Sequence, residues 1–249
     1  MTKNKILVAL GALLLAGITA WEQGTLDTFI QDRLAGRSAP GGEAAQAPAS
    51  RGGGAVRGEA VRGEGFDYYV LALSWSPSFC EDSGDRTSNQ CNGSRDYGFV
   101  AHGLWPQNET GWPEFCDVRA RVPERTVDAM LPIMPAKGLI FHQWKKHGTC
   151  SGLDPRGYFD ATKAAYDSVV IPKELRRLDR TLTIDPKVIE AAFIEVNPDL
   201  DADEIVINCS KNRLREIKVC LDKTLTPRAC GRDVNRECRS NSIRMPPVR

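Results

Sequence analysis

Arg215-Glu216-Ile217-Lys218-Val219-Cys220-Leu221 alternates by twos, with Ile217, Val219 and Leu221 on one side and Glu216 and Lys218 on the other. This is an extended strand with one buried and one wet face, as in an antiparallel sheet covered on a single side. A second strand, residues 204–209, lies just before it. Far upstream, residues 67–75 form an aromatic and aliphatic run of strand length closed by Pro77. Residues 96–104 are a further strand that leads straight into Trp105-Pro106. Between these pairs helical spacing takes over. Short helices are expected over 126–134 and 140–147, and a longer one over 159–170. Asp185-Pro186, a cap followed by proline at the first helical position, opens another helix that runs to about Val196 before Asn197-Pro198. Strands at both ends with helices between them predict one α+β domain, a central antiparallel β-sheet packed against several helices. A doubly wound parallel fold is excluded.

The 249 residues hold 33 Lys and Arg against 32 Asp and Glu, with 41% hydrophobic and 26% charged residues. Such a chain can bury a core, and the collagen-like, wholly disordered and polytopic membrane classes fall away. Residues 1–20 read as an export signal. Lys3 and Lys5 begin it, an apolar stretch over 6–18 follows, and Ala20 offers a cleavage point before Trp21. The apolar stretch is shorter than the ~20 residues of a spanning helix, which favours cleavage over a short N-terminal anchor. Residues 21–65 read as a linker. Its first part, 21–34, is too short for a stable lone helix, and 35–65 hold nine Gly and almost no large apolar residue. Beyond it the acidic and basic groups balance at 26 each, so no global field drives sequence-independent duplex binding.

All eight cysteines follow the linker, at 80, 91, 116, 150, 209, 220, 230 and 238. An even count in an exported chain argues for four disulfides, and spacing alone does not assign the partners. No CxxC pair suggests zinc, and an unpaired thiol nucleophile does not suit an oxidising compartment.

The chain has three histidines, and each falls in one of two aromatic-flanked segments. These are His102-Gly103-Leu104-Trp105-Pro106 and Phe141-His142-Gln143-Trp144-Lys145-Lys146-His147-Gly148-Thr149-Cys150. A lone His on a half-buried surface is usually structural, but confinement of all three to two such segments argues for a shared site. On a helix, 142/146 and 143/147 are i,i+4 pairs ~100° apart, so His142, Gln143, Lys146 and His147 share one broad face. Two imidazoles, an ammonium and an amide without a carboxylate suit a phosphate. Zinc is poorly served, because His142 and His147 are not spaced i,i+4. Two imidazoles can act as base and acid in one cycle, while the cation stabilises charge on a pentacovalent phosphorus. In RNA the 2′-hydroxyl already lies beside the phosphorus, so no metal-activated water is needed. With RNA as the substrate the expected product is a 2′,3′-cyclic phosphate, hydrolysed in a slower second step, and DNA should resist because it lacks the nucleophile. Trp105 can stack a base beside the scissile bond.

These two segments resemble the paired active-site motifs of the ribonuclease T2 family, secreted or vesicular endoribonucleases that need no metal. The first matches in full, and the second matches at His142, Trp144, Lys146, His147, Gly148, Thr149 and Cys150. Leu73-Ser74-Trp75-Ser76-Pro77 followed by Cys80 is similar to the family's opening strand, and the likeness extends over most of 66–249. The resemblance implies His147 as the base, His102 as the acid, Lys146 stabilising the phosphorane, His142 holding the phosphate and Trp105 in a base pocket. It also implies the pairings Cys80–Cys91, Cys116–Cys150, Cys209–Cys238 and Cys220–Cys230. A monomer acting on single-stranded RNA is expected, with no cofactor, no metal and no stable membrane association after signal cleavage. The expected compartment is secreted or periplasmic, or lysosome- or vacuole-like in a eukaryote.

One departure stands out. The family commonly carries Glu where this chain has Gln143, which can donate to a phosphate oxygen but cannot tune Lys146 or His147 by charge. Retained activity with an altered pH profile is the expectation. Gln107 occupies a position where some relatives carry Asp, which leaves base preference open. A catalytically dead relative would have lost a histidine, and none is lost. A metal-dependent phosphodiesterase would need clustered carboxylates, whereas nearby Glu109 and Glu114 lack a ligand pattern.

Overall fold

A computed structural model describes residues 65–83, 88–93, 95–116, 121–234 and 238–248. The expected export signal at 1–20 and the linker up to residue 64 lie outside the described residues. Along the chain β1 (Tyr68–Trp75) leads into α1 (Ser76–Ser83), α2 (Asn89–Asn92) and β2 (Phe99–Gln107). Next come α3 (Glu124–Met130), α4 (Lys137–Lys146), a 3-10 turn (Gly148–Cys150), α5 (Pro155–Ser168) and α6 (Lys173–Arg176). The chain finishes with β3 (Leu182–Ile184), α7 (Pro186–Val196), β4 (Ile205–Ser210), β5 (Arg213–Leu221) and β6 (Ile243–Met245). The strands form one sheet in the order β2-β1-β5-β6-β3, with β4 paired to β5.

The near-continuous apolar run of β1 has a simple cause. The strand is hydrogen-bonded between β2 and β5, and every residue but the half-buried Ser74 is buried. On one face Tyr69, Leu71, Leu73 and Trp75 join Leu104, Ile217, Val219 and Leu221 and pack against Ile140, Trp144, Tyr158, Phe159 and Phe193 of the helices. Each large apolar side chain buried this way contributes about 1.5–3 kcal/mol. A one-residue slip of β5 would send Glu216 and Lys218 into that layer, so the core locks the register. The opposite face holds a smaller cluster of Tyr68, Val70, Val206 and Cys220, with Trp105 and Cys230 against it.

Two helix starts follow their capping residues. Asp154 accepts from Gly157 N at 2.7 Å ahead of Pro155, and Asp185 accepts from Lys187 N at 2.9 Å ahead of Pro186. The Asp154 cap begins α5 four residues before the apolar spacing shows it. Helix α3 stops at Met130, short of the expected 134, because Pro132 lacks the amide that would continue it. The sheet is antiparallel in every pair but one. Arg213 pairs with Arg244 in parallel, through the three-residue strand β6. Strands and helices of three or four residues carry no readable period, which is why β3, β6, α2 and α6 are not anticipated.

All eight cysteines are bridged, as Cys80–Cys91, Cys116–Cys150, Cys209–Cys238 and Cys220–Cys230, with Cα separations of 5.1 to 5.4 Å. The second ties the loop after β2 to the 3-10 turn behind α4. Among the described residues no helix is long and apolar enough to cross a membrane.

Candidate active site

Strands β1 and β2 stay in register through Ala72 opposite Gly103 and resume with Leu73 opposite Ala101, leaving His102 as the extra residue of a bulge. A bulge re-aims the side chain it carries. A second irregularity lies across the sheet. Asn208 faces Glu216 and Cys209 faces Leu214, so Arg215 is the extra residue there. On the face away from the core, Gly103, Ala72 and Lys218 form one row, and Val100, Ser74 and Glu216 form the next.

His102 Nδ1–H donates to Glu216 Oε1, and Ser74 Oγ donates to the same oxygen at 3.4 Å. The strand alternation places Glu216 on a wet face, yet it is 5% exposed. The alternation separates it from the core correctly, but His102 covers that side where water was expected. Burial pulls the Glu216 carboxyl up. The hydrogen bond and charge of His102, with the charges of Lys218 and Arg215, outweigh this and hold it below the usual carboxylate range.

Helix α4 ends at Lys146, and His147 caps it, its N–H bonded to Gln143 O at 2.9 Å. The broad face expected of His142, Gln143, Lys146 and His147 divides in two. Gln143 (1% exposed) and His147 (7% exposed) turn inward, His142 is exposed and Lys146 lies between. The cause is the apolar stripe. Ile140 and Trp144 are buried in the core, so the adjoining 143/147 column goes in with them while the 142/146 column stays at the rim.

Trp105 joins the two halves. Its Nε1 donates to Gln143 Oε1 at 2.8 Å. The His102 ring meets the indole edge-on at 5.2 Å, and His147 stacks on it at 5.3 Å and 25°. Lys218 Nζ lies 5.5 Å from the same ring. A glycine is required at 103, because a Cβ there would run into Gln143 Oε1 and come within 2.6 Å of Trp105 Nε1. The Gln143 amide oxygen is thus engaged by the indole.

The His147 ring is buried and strongly perturbed. Burial, then the charges of Lys146, His102 and His142, push its pKa down to about 3, and its Nδ1 is buried with no partner among the described residues. Near neutral pH this ring is uncharged. The site thus holds one buried, uncharged imidazole and another hydrogen-bonded to a carboxylate.

Lys146 Nζ lies 3.4 Å from Glu114 Oε2, a carboxylate delivered by the loop after β2. That loop is held to the helix end by Phe115 N–H donating to Lys146 O at 2.8 Å and by the Cys116–Cys150 bridge. Gln107 is 5% exposed and its Nε2 donates to Gly111 O at 3.0 Å, so this amide braces the same loop. Glu109 pairs with Arg228 at 2.8 Å. Among the described residues no three His, Cys, Asp or Glu side chains are gathered as metal ligands. A cavity of about 430 Å³ lined by Phe99, Tyr166, Ile171 and Arg176 contains none of the site residues.

Sequence reasoning missed three participants: Glu216, Glu114 and Lys218. The signal for Glu216 and Lys218 was the alternation itself, which sets two charged residues on the face shared with Trp105. For Glu114 it was the nearby Cys116, once that cysteine is bonded to Cys150.

The Ribonuclease T2 family matches residues 66–230, and the chain belongs to it. It is 45% identical over 105 residues to a ribonuclease of Aeromonas hydrophila, covering 42% of this chain and 46% of that protein. Over 123 residues it is 37% identical to a probable ribonuclease of Haemophilus influenzae, covering 43% and 45%. The chain thus spans about half the length of the curated relatives it matches. The structure of RNase NT, solved in complex with 5′-AMP, matches with a TM-score of 0.54 at 24% identity, over 74% of this chain and 100% of that one, and shares its fold.

Proposed function

We propose that this chain is an endoribonuclease. It cleaves single-stranded RNA by transphosphorylation to 2′,3′-cyclic phosphate ends, which it hydrolyses more slowly to 3′-phosphates. The observation that carries the reading is the convergence of a buried, uncharged His147 and a carboxylate-bonded His102 on one indole. Family membership and the nucleotide bound to RNase NT support it. Environments that set two titratable groups apart define a base and an acid.

In this mechanism His147 takes the 2′-hydroxyl proton, and the freed oxygen attacks the adjacent phosphorus. Lys146, released from Glu114, and His142 at the rim hold the phosphate and neutralise its added charge. His102 protonates the departing 5′-oxygen. Hydrolysis of the cyclic ester runs the roles in reverse, with water in place of the leaving nucleoside. Trp105, held by Gln143, forms one wall of the base pocket. The catalytic domain is residues 66–249, exported by residues 1–20 on the linker of 21–65 and acting as a monomer. Its disulfides suit an oxidising compartment.

Product analysis on defined dinucleotides in excess EDTA tests the reading. Cyclic-phosphate products at unchanged rate are expected from RNA, with none from DNA. His102→Ala and His147→Ala are each expected to abolish turnover in a folded protein. Metal dependence, DNA cleavage or a near-normal rate in either variant refutes it.

A further inference from the structure

We infer that Glu216 is the positioning residue for His102: it fixes the ring's tautomer and orientation, so that Nε2 carries the proton delivered to the leaving oxygen. This deepens the proposed function and rests on His102 acting as the acid. Three observations converge. The carboxylate is almost fully buried on the site face of β5, where a charge needs a partner. Its Oε1 receives Nδ1–H of His102, with Ser74 Oγ fixing that oxygen from β1. Both partners lie at bulges: His102 is the extra residue on β2 opposite β1, and Glu216, in regular register with Ser74 of β1, follows the extra Arg215 that β5 carries opposite β4.

A carboxylate is acceptor-only, so the nitrogen facing it must carry hydrogen. Nδ1 is committed in both charge states, and the proton that leaves is the one on Nε2. When it passes to the 5′-oxygen, the P–O5′ bond breaks and a neutral ring remains, still donating to Glu216. The groups facing this pair are few. Beside Glu216 stand His102 from β2, the neutral Ser74 and Asn208 from β1 and β4, and Arg215 and Lys218 of its own strand. Beside His102 stand Trp105 and, within reach of its charge, His147.

Glu216→Gln keeps the size and an acceptor oxygen but removes the charge, and it is the test. With a dinucleotide substrate, kcat is expected to fall about 10²-fold, the scale of impaired general acid catalysis. KM should change less than about 3-fold, and the alkaline limb of the rate profile should move to lower pH. With a 3′-(4-nitrophenyl) phosphodiester, whose leaving group needs no proton, the loss should shrink to a few-fold. An undiminished kcat and pH profile in Glu216→Gln, while His102→Ala remains inactive, overturns the role of Glu216 and leaves the nuclease reading standing. An equal loss on both substrates overturns His102 as the acid. Should the variant not fold, 15N NMR of the wild-type protein decides. Neutral His102 protonated at Nδ1 is expected, and protonation at Nε2 refutes the inference.

Discussion

His147 should make this protein acid-labile by an amount its burial sets. The ring is 7% exposed, and burial with the charges of Lys146, His102 and His142 pushes its pKa from 6.5 to about 3. In the unfolded chain the ring takes a proton as pH falls through 6.5, whereas in the folded protein it stays uncharged until about pH 3. Between those values the unfolded state binds more protons, so stability is complete above pH 6.5 and declines as pH drops. The loss from this one group is about 2 kcal/mol at pH 5 and about 4–5 kcal/mol at pH 3. His147→Phe removes the titration and keeps an aromatic ring against Trp105. Urea unfolding of both proteins at pH 8 and pH 5 reads the effect. The wild type is expected to lose about 2 kcal/mol more than the variant over that interval, and comparing slopes cancels the other titrating groups. Equal slopes, or an NMR titration of the His147 ring with a midpoint near 6.5, would refute the reasoning.

Gly103→Ala drives a methyl group into the contact between Gln143 and Trp105, so a loss of about 1–3 kcal/mol in urea unfolding and a changed indole fluorescence are expected. Replacing Cys116 and Cys150 together by Ser opens a loop of sequence separation 34 and should cost about 4 kcal/mol by calorimetry. It also loosens the loop that is held to the helix end carrying Lys146 and His147, so activity should fall in variants still folded at the assay temperature. Gln143→Glu keeps the oxygen that accepts from Trp105 and adds a charge near Lys146, so activity should persist with a displaced pH optimum. A gain above about 10²-fold, the scale of a full acid or base, would mean that the wild type is nearly inactive.

Local pattern was sufficient for much of this molecule. The apolar run of β1, the alternation of β5 and the Asp-Pro start of α7 are each set by neighbours a few residues apart. The α+β class follows from their order along the chain. The two histidine segments advertise phosphate chemistry because that inference needs only residue types and spacing. Tertiary pairing decided the rest. Alternation tells which side of a sheet Glu216 faces, but not whether water or an imidazole covers that side, since the covering ring is 114 residues away. The bulge that aims His102 exists only in the register between β1 and β2. Helical geometry gathers four polar residues on one broad face of α4, while packing against the core chooses Gln143 and His147 to go in and leaves His142 at the rim. Periodicity is a property of the chain, and burial belongs to the folded whole, which is why His147, ordinary as a letter, becomes the uncharged ring of the site.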